Sequence, residues 1–216
     1  QAMIILLAAT KGGAGKSTLA TSLAAMLAGK GADVVLVDAD RQATASTWAA
    51  RREADSSLPR VACFQPPSDN IRQMLLDLDK RYSHVVVDCA GHDSKELRTG
   101  LSAAHISLSP FRPSQPDLDT ANKLSEMIND ARDSLNPGLR SFSLLTLCPT
   151  NPSITEMRDA LDYLMDVNGM TVIPTCIHDR KAYRDAICDG KGVTEQTNEK
   201  ASSEMAAVWE AINGKV

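Results

Sequence analysis

Thr10-Lys11-Gly12-Gly13-Ala14-Gly15-Lys16-Ser17-Thr18 follows an apolar run, Met3 to Ala9, and opens a helical pattern, Leu19 to Ala28. A buried strand, a glycine-rich turn and a helix in that order are the setting of a phosphate-binding loop. Glycines let backbone N–H groups crowd around phosphate oxygens, and the N-terminus of the following helix adds partial positive charge. In such a loop Lys16 reaches the β- and γ-phosphates and the Ser17 hydroxyl ligates Mg²⁺. Gly12, Gly13, Ala14, Gly15 and Thr18 complete the expected nucleotide cradle. The bland alternative, a Gly/Lys-rich turn that binds nothing, fits neither the spacing nor the strand–helix context.

The strict pattern G-x-x-x-x-G-K-[ST] is broken, because Thr10 stands at its first glycine and a second lysine, Lys11, follows. The run K-G-G-x-G-K-S-T is a deviant Walker A loop, and the chain resembles the ParA/MinD family of dimeric ATPases. The resemblance implies that Lys11 crosses a homodimer interface to touch phosphates bound by the partner. There it adds positive charge where the transferring phosphoryl group develops negative charge. ATP then becomes part of the interface. The competing reading is a lysine that serves its own subunit's nucleotide.

Apolar, strand-like runs lie near 3–9, 33–38, 60–64, 83–89, 104–109, 141–147 and 171–174. Helical patterns fill 16–29, 43–54, 68–80, 94–103, 116–135, 153–167, 179–188 and 199–213. Val34-Val35-Leu36-Val37 and Val85-Val86-Val87 are continuous rather than alternating, as in strands covered on both faces. The βαβα order predicts a three-layer, doubly wound α/β fold with a mostly parallel sheet. No linker or repeat divides the chain, so residues 1–216 are expected to form one P-loop domain. Gln1-Ala2 ahead of Met3 reads as a remnant before the native start.

Composition narrows the partners. Charged residues make up 23% and the net charge is −4, so any nucleic-acid contact has to come from a local basic patch. Five scattered cysteines, none in C-x-x-C spacing, argue for a reducing cytosol rather than a disulfide framework or a zinc site. No apolar run reaches transmembrane length. The last helical stretch, Ser203 to Asn213, holds no lysine, so a basic membrane-surface helix is not expected either.

Ligands of open parallel sheets sit at the carboxyl ends of strands. The second strand ends there in Asp38-Ala39-Asp40-Arg41-Gln42, and the fourth in Val87-Asp88-Cys89-Ala90-Gly91. A hydrophobic strand ending in Asp is the Walker B arrangement, with Asp88 acting on Mg²⁺. By the family pattern D-x-D-P-Q, Asp38 orients the metal's water shell and Asp40 positions or activates the attacking water. Arg41 replaces the family's proline, and Cys89 departs from D-T-P or D-T-A-G; a small buried filler is the simpler reading of that thiol. The alternative for the aspartates is capping of the helix that starts near Ala43. Resemblance also places adenine at the ends of the last two strands, at Thr146, Pro149 and Pro174.

Phe111 to Asp119 is a proline-rich lead into a helix, either comparable to a segment near the dimer interface of small plasmid ParA proteins of the ParF type or a plain strand–helix loop. Arg180, Lys181, Arg184 and Lys191 concentrate positive charge late in the chain. Relatives bind DNA without sequence preference through this part, by phosphate neutralisation that weakens with salt. The alternative is a solvated helix face, and Arg41, Arg51, Arg52 and Arg60 read mainly that way. The resemblance as a whole implies an Mg²⁺-dependent ATPase in the cytoplasm, on the nucleoid, working in DNA partition with a ParB-like adaptor. Two alternatives stand beside it. One is the same engine positioning another cargo. The other is an ATP-dependent biosynthetic ligase of the dethiobiotin-synthetase or cobyrinate-amidation type.

Overall fold

The apolar runs become seven strands: β1 (Met3–Leu7), β2 (Val34–Ala39), β3 (Ala62–Phe64), β4 (His84–Cys89), β5 (Ile106–Phe111), β6 (Arg140–Leu145) and β7 (Thr171–Val172). The computed structural model describes residues 2–66, 70–151 and 155–214. In it the strands form one sheet of order β3-β2-β4-β1-β5-β6-β7, with every pair parallel. Between them run α1 (Lys16–Gly29), α2 (Thr44–Glu53), α3 (Ile71–Asp79), α4 (Lys95–Leu101), α5 (Gln115–Leu118), α6 (Thr120–Ser134), α7 (Glu156–Asp166), α8 (Lys181–Cys188) and α9 (Glu199–Asn213). The expected helix starts at 68 and 153 lie outside the described residues, as does Gln1. Among the described residues no helix is long and apolar enough to cross a membrane.

The central strands bury both faces, and the pleat divides them between two cores. Ile5, Leu7, Val34, Leu36 and Val86 face the layer of α1, α2, α8 and α9. Ile4, Leu6, Val35, Val37, Val85 and Val87 face the layer of α3, α4, α6 and α7. This explains why those runs are continuous in sequence instead of alternating. Every residue of α1 from Leu19 to Ala28 is buried. Thr21 and Ser22 are the polar residues of that stretch, and Thr21 donates its hydroxyl to the Ser17 carbonyl at 2.9 Å. A helix buried from Leu19 to Ala28 is a firm base for the loop that precedes it.

Several expectations shift, and the helix expected over 116–135 is two, α5 and α6, parted at Asp119. β5 runs on through Pro110 to Phe111, where a loop was expected. A proline fits there because the β1 pairing ends at Leu7 opposite Leu108, leaving Pro110 only β6 beside it, at Leu144. β7 stops at Val172, short of the expected 174 and of Pro174, which has no N–H to give a ladder.

Register carries the site. Asp38 of β2 lies opposite Asp88 of β4, and Leu7 of β1 lies opposite that same Asp88. The strand ends therefore bring both carboxylates beside the loop that leaves β1. On the far side of α2, Arg52 is 3% exposed rather than part of a surface basic cluster. It pairs with Glu195 at 2.7 and 2.8 Å, donates to the carbonyls of Gly190 and Pro59, and stacks 5.3 Å from the Trp48 ring. Trp48 in turn donates its indole N–H to the Lys191 carbonyl at 3.0 Å. α2, which follows Asp38 and Asp40, is thus tied to the turn after α8.

Candidate nucleotide-binding site

The loop between β1 and α1 is shaped by left-handed glycines, Gly13 at φ 87° and Gly15 at φ 82°, a region that suits a residue without Cβ. Gly15 caps α1 with no side chain to occupy the first N–H groups of the helix. Those donors face outward and suit an anion. Three contacts hold the loop from outside. The Thr146 hydroxyl at the end of β6 donates to the Ala14 carbonyl at 2.8 Å. Arg112, just past β5, donates Nε and Nη2 to the Gly13 carbonyl at 2.9 and 2.5 Å. Gly91, after β4, packs so tightly that a Cβ there would stand 2.7 Å from Gly12 N and from the Lys11 carbonyl oxygen.

The two lysines of the loop part company. Lys16 is 6% exposed and turned inward beside Asp88. Lys11 has a side chain 47% exposed, and its Nζ lies 2.6 Å from Oδ1 of Asp117, a buried carboxylate on α5. Asp117 Oδ2 has no hydrogen-bond partner among the described residues and sits 3.8 Å from Arg112 Nε.

Asp88 is fully buried, and neither of its carboxylate oxygens accepts a hydrogen bond within reach among the described residues. Burial pushes its carboxyl up to about 7, held back in part by the neighbouring Ser17 hydroxyl and the Lys16 charge. A buried carboxylate without donors, beside a serine hydroxyl at a helix start, is a hard oxygen set that fits Mg²⁺. Asp38 is occupied differently. Its Oδ2 accepts from the N–H and hydroxyl of Ser46 at 2.7 and 2.6 Å, and its Oδ1 accepts from the Asp40 N–H at 3.2 Å. It therefore anchors the first turn of α2, as the capping alternative expected, while standing opposite Asp88. Asp40, half-buried, accepts from the Gln42 N–H at 3.0 Å and opens onto a cleft shared with Gly12, Lys16, Gly91 and Glu96. Glu96 had no place in the sequence reading. Its signal is weak: an acidic residue two positions after Ser94, which caps α4 by accepting from the Leu97 N–H at 3.1 Å. Cys89 is 1% exposed and its thiol is pushed up by burial, as suits an inert filler.

A second cleft opens on the other side of Gly15 and Thr18, lined by Thr146, Leu147, His178, Arg180 and Tyr183. Leu147 holds φ 53°, a left-handed conformation that costs a non-glycine residue about 1–2 kcal/mol, and its side chain is partly exposed on that cleft. The opposite wall is organised by one carboxylate. Glu204 accepts from His178 Nδ1 at 2.8 Å, Arg180 Nε at 2.9 Å and the Tyr183 hydroxyl at 3.0 Å. Of the three residues expected at the base, Thr146 lines the cleft, with its hydroxyl already committed to Ala14. Pro149 and Pro174 do not line it. The reason is topological: after β7 the chain turns back beside Cys148, which bridges to His178, so residues 177–180 form the wall.

The four expected DNA-contacting residues separate as well. Arg180 is bound to Glu204 inside the second cleft. Lys181 and Arg184 are exposed on α8 and paired with Asp185 and Asp179 respectively, and Lys191 is half-buried after it.

The family model described as the CobQ/CobB/MinD/ParA nucleotide binding domain matches residues 5–193. The chain is 31% identical to maintenance of carboxysome distribution protein A of Halothiobacillus neapolitanus, over 89% of this chain and 87% of that one. It is 25% identical to the protein ParA of Rhizobium radiobacter, over 96% and 92%. In fold it is similar to McdA of Cyanothece in its ATP complex, with a TM-score of 0.80 at 16% identity, covering 99% of this chain and 97% of that one.

Proposed function

The chain belongs to the CobQ/CobB/MinD/ParA nucleotide-binding domain family, and we propose that it is an Mg²⁺-dependent ATPase that closes a homodimer on DNA and uses hydrolysis to open it. The observation that carries this reading is the division of labour between the two loop lysines. Lys16 lies buried under the phosphate site, while Lys11 lies exposed and drawn aside onto Asp117. A lysine that served its own phosphates would turn inward as Lys16 does.

In this mechanism the outward N–H groups of the loop and the start of α1 bind the phosphates, and Lys16 neutralises them from below. Mg²⁺ held by Ser17 and Asp88 would draw charge from the β- and γ-phosphate oxygens. Asp38 fixes α2 and, through its bond to the Asp40 N–H, the turn that carries Asp40. Asp40 faces the phosphate cleft and orients the attacking water. Lys11 leaves Asp117 for the nucleotide of a second subunit, where it stabilises the charge of the transferring phosphoryl group. The second cleft takes the adenine between Leu147 and the Arg180–Tyr183 wall. Lys181 and Arg184, exposed in surface pairs, and the half-buried Lys191 contact DNA phosphates; Arg180 is left out of that role because its pairing with Glu204 is largely buried.

The cargo is a partition complex carrying a ParB-like adaptor. A second reading, favoured by the 31% identity to a carboxysome distribution protein, gives the same engine a protein body as cargo. ATP turnover tests the shared engine. Stimulation by DNA together with an adaptor encoded beside the gene supports it, and turnover that responds instead to a small carboxylic acid overturns it in favour of a ligase.

A further inference from the structure

Asp117 is a carboxylate shared by two cations. Its side chain is 6% exposed, Oδ1 is held by Lys11 at 2.6 Å, and Oδ2 has no hydrogen-bond partner among the described residues. Among the described residues the other cation within ion-pair reach is Arg112, whose Nε stands 3.8 Å from Oδ2, beyond hydrogen-bonding distance. Arg112 is turned instead toward the phosphate loop, with both Nε and Nη2 on the Gly13 carbonyl. Its Nη2 also fills the space beside Gly13, 2.9 Å from where a Cβ would stand.

These positions create a difficulty for any motion of Lys11. If Lys11 leaves, a buried carboxylate loses its sole close partner among the described residues, and an uncompensated buried charge is strongly unfavourable. We propose that Arg112 is the relief counterion: as Lys11 leaves Asp117 for a phosphate, the guanidinium swings from the Gly13 carbonyl onto Asp117 Oδ2. The shift needed is about 1 Å, from ion-pair contact to a charge-assisted hydrogen bond. Arg112 is suited to it. It is anchored at the end of β5 and before Pro113, its head is 48% exposed, and its fork can change acceptors without leaving water. The exchange has a second consequence. Freeing the Gly13 carbonyl releases the outer clamp on the loop in the same step that commits Lys11, so loop geometry and lysine release change together. Arg112 is then a positioning residue, acting through Asp117 and Lys11 rather than on the nucleotide.

This inference rests on the reading that Lys11 acts across an ATP-bound dimer, and the experiment separates the two. Dimer dissociation constants are measured by sedimentation with a non-hydrolysable ATP analogue and Mg²⁺, for wild type, R112Q, R112K, D117N and R112Q/D117N. Affinity of the dilute monomer for a fluorescent ATP analogue and melting temperature are measured on the same samples. The assignment expects R112Q to weaken the dimer about tenfold to a hundredfold, the worth of one charge-assisted hydrogen bond, over and above the loss of monomer nucleotide affinity that follows from giving up the Gly13 carbonyl. R112K restores most of the loss. In the D117N background, where no buried charge needs relief, R112Q weakens the dimer no further than its loss of monomer nucleotide affinity accounts for. A wild type that dimerises beside an unimpaired R112Q overturns the Arg112 assignment alone, as does an R112Q defect that persists undiminished with D117N. A wild type that stays monomeric with the analogue overturns the dimer reading beneath it.

Discussion

Asp88→Asn tests the electrostatics of the site without any ligand. The carboxyl of Asp88 is raised from 3.8 to about 7, and burial is the largest cause. The folded state therefore holds this proton more tightly than the unfolded chain. The stability associated with it is fully present below the unfolded value and is lost as pH rises through the folded one. A gap of about three pH units corresponds to a ceiling of roughly 4 kcal/mol, at about 1.4 kcal/mol per unit. Asparagine keeps the shape and carries no charge. Near pH 4 the ligand-free variant and wild type are expected to melt alike. At about pH 8 the variant is expected to be the more stable, by about 2–4 kcal/mol, or roughly 5–15 °C for a chain of this size. Adding ATP and Mg²⁺ reverses the order, because only the wild-type carboxylate gains from the cation. The assay is thermal unfolding across a pH series, with and without nucleotide. A variant less stable than wild type at about pH 8, or a difference that does not change with pH, refutes the reasoning.

Lys16→Ala removes the cation proposed to lie beneath the phosphates and is expected to abolish ATP turnover while leaving far-UV circular dichroism unchanged; normal turnover contradicts the loop assignment. Arg52→Ala leaves Glu195 without its partner and strips a cation from the Trp48 face, so the urea midpoint is expected to fall by the equivalent of about 3 kcal/mol. An unchanged midpoint means that this pair does not hold α2. Thr146→Val takes the hydroxyl from the Ala14 carbonyl, and a loss of about 1–2 kcal/mol in nucleotide binding is expected by fluorescence titration. Tight binding by the variant means that the loop is shaped without β6.

The phosphate loop and its flanking strand and helix were legible because every residue of that unit is close in sequence and its chemistry is local. The doubly wound order was legible from the apolar runs, and the sheet proved parallel throughout. The register that sets Asp38 opposite Asp88 was not, because strand adjacency is decided by packing between segments about fifty residues apart. The same limit hid the contacts that surround the loop. Lys11 meets Asp117 and Arg112 meets Gly13 across roughly a hundred residues, and no spacing rule joins them. Arg180 read as one more positive charge in a run, yet its partner Glu204 sits on α9 and turns it into a wall of the second cleft. Charge counted along a chain ignores pairing; burial and pairing together decide which cations remain free for a polyanion.

The central claim is that nucleotide state switches this protein on and off DNA. The most direct measurement is retention on a non-specific duplex with ATP and Mg²⁺ against ADP and Mg²⁺, across a salt series. The account predicts retention with ATP alone, collapsing steeply as salt rises because the contacts are to phosphates. Retention that is the same in both nucleotide states, or absent from both, contradicts it.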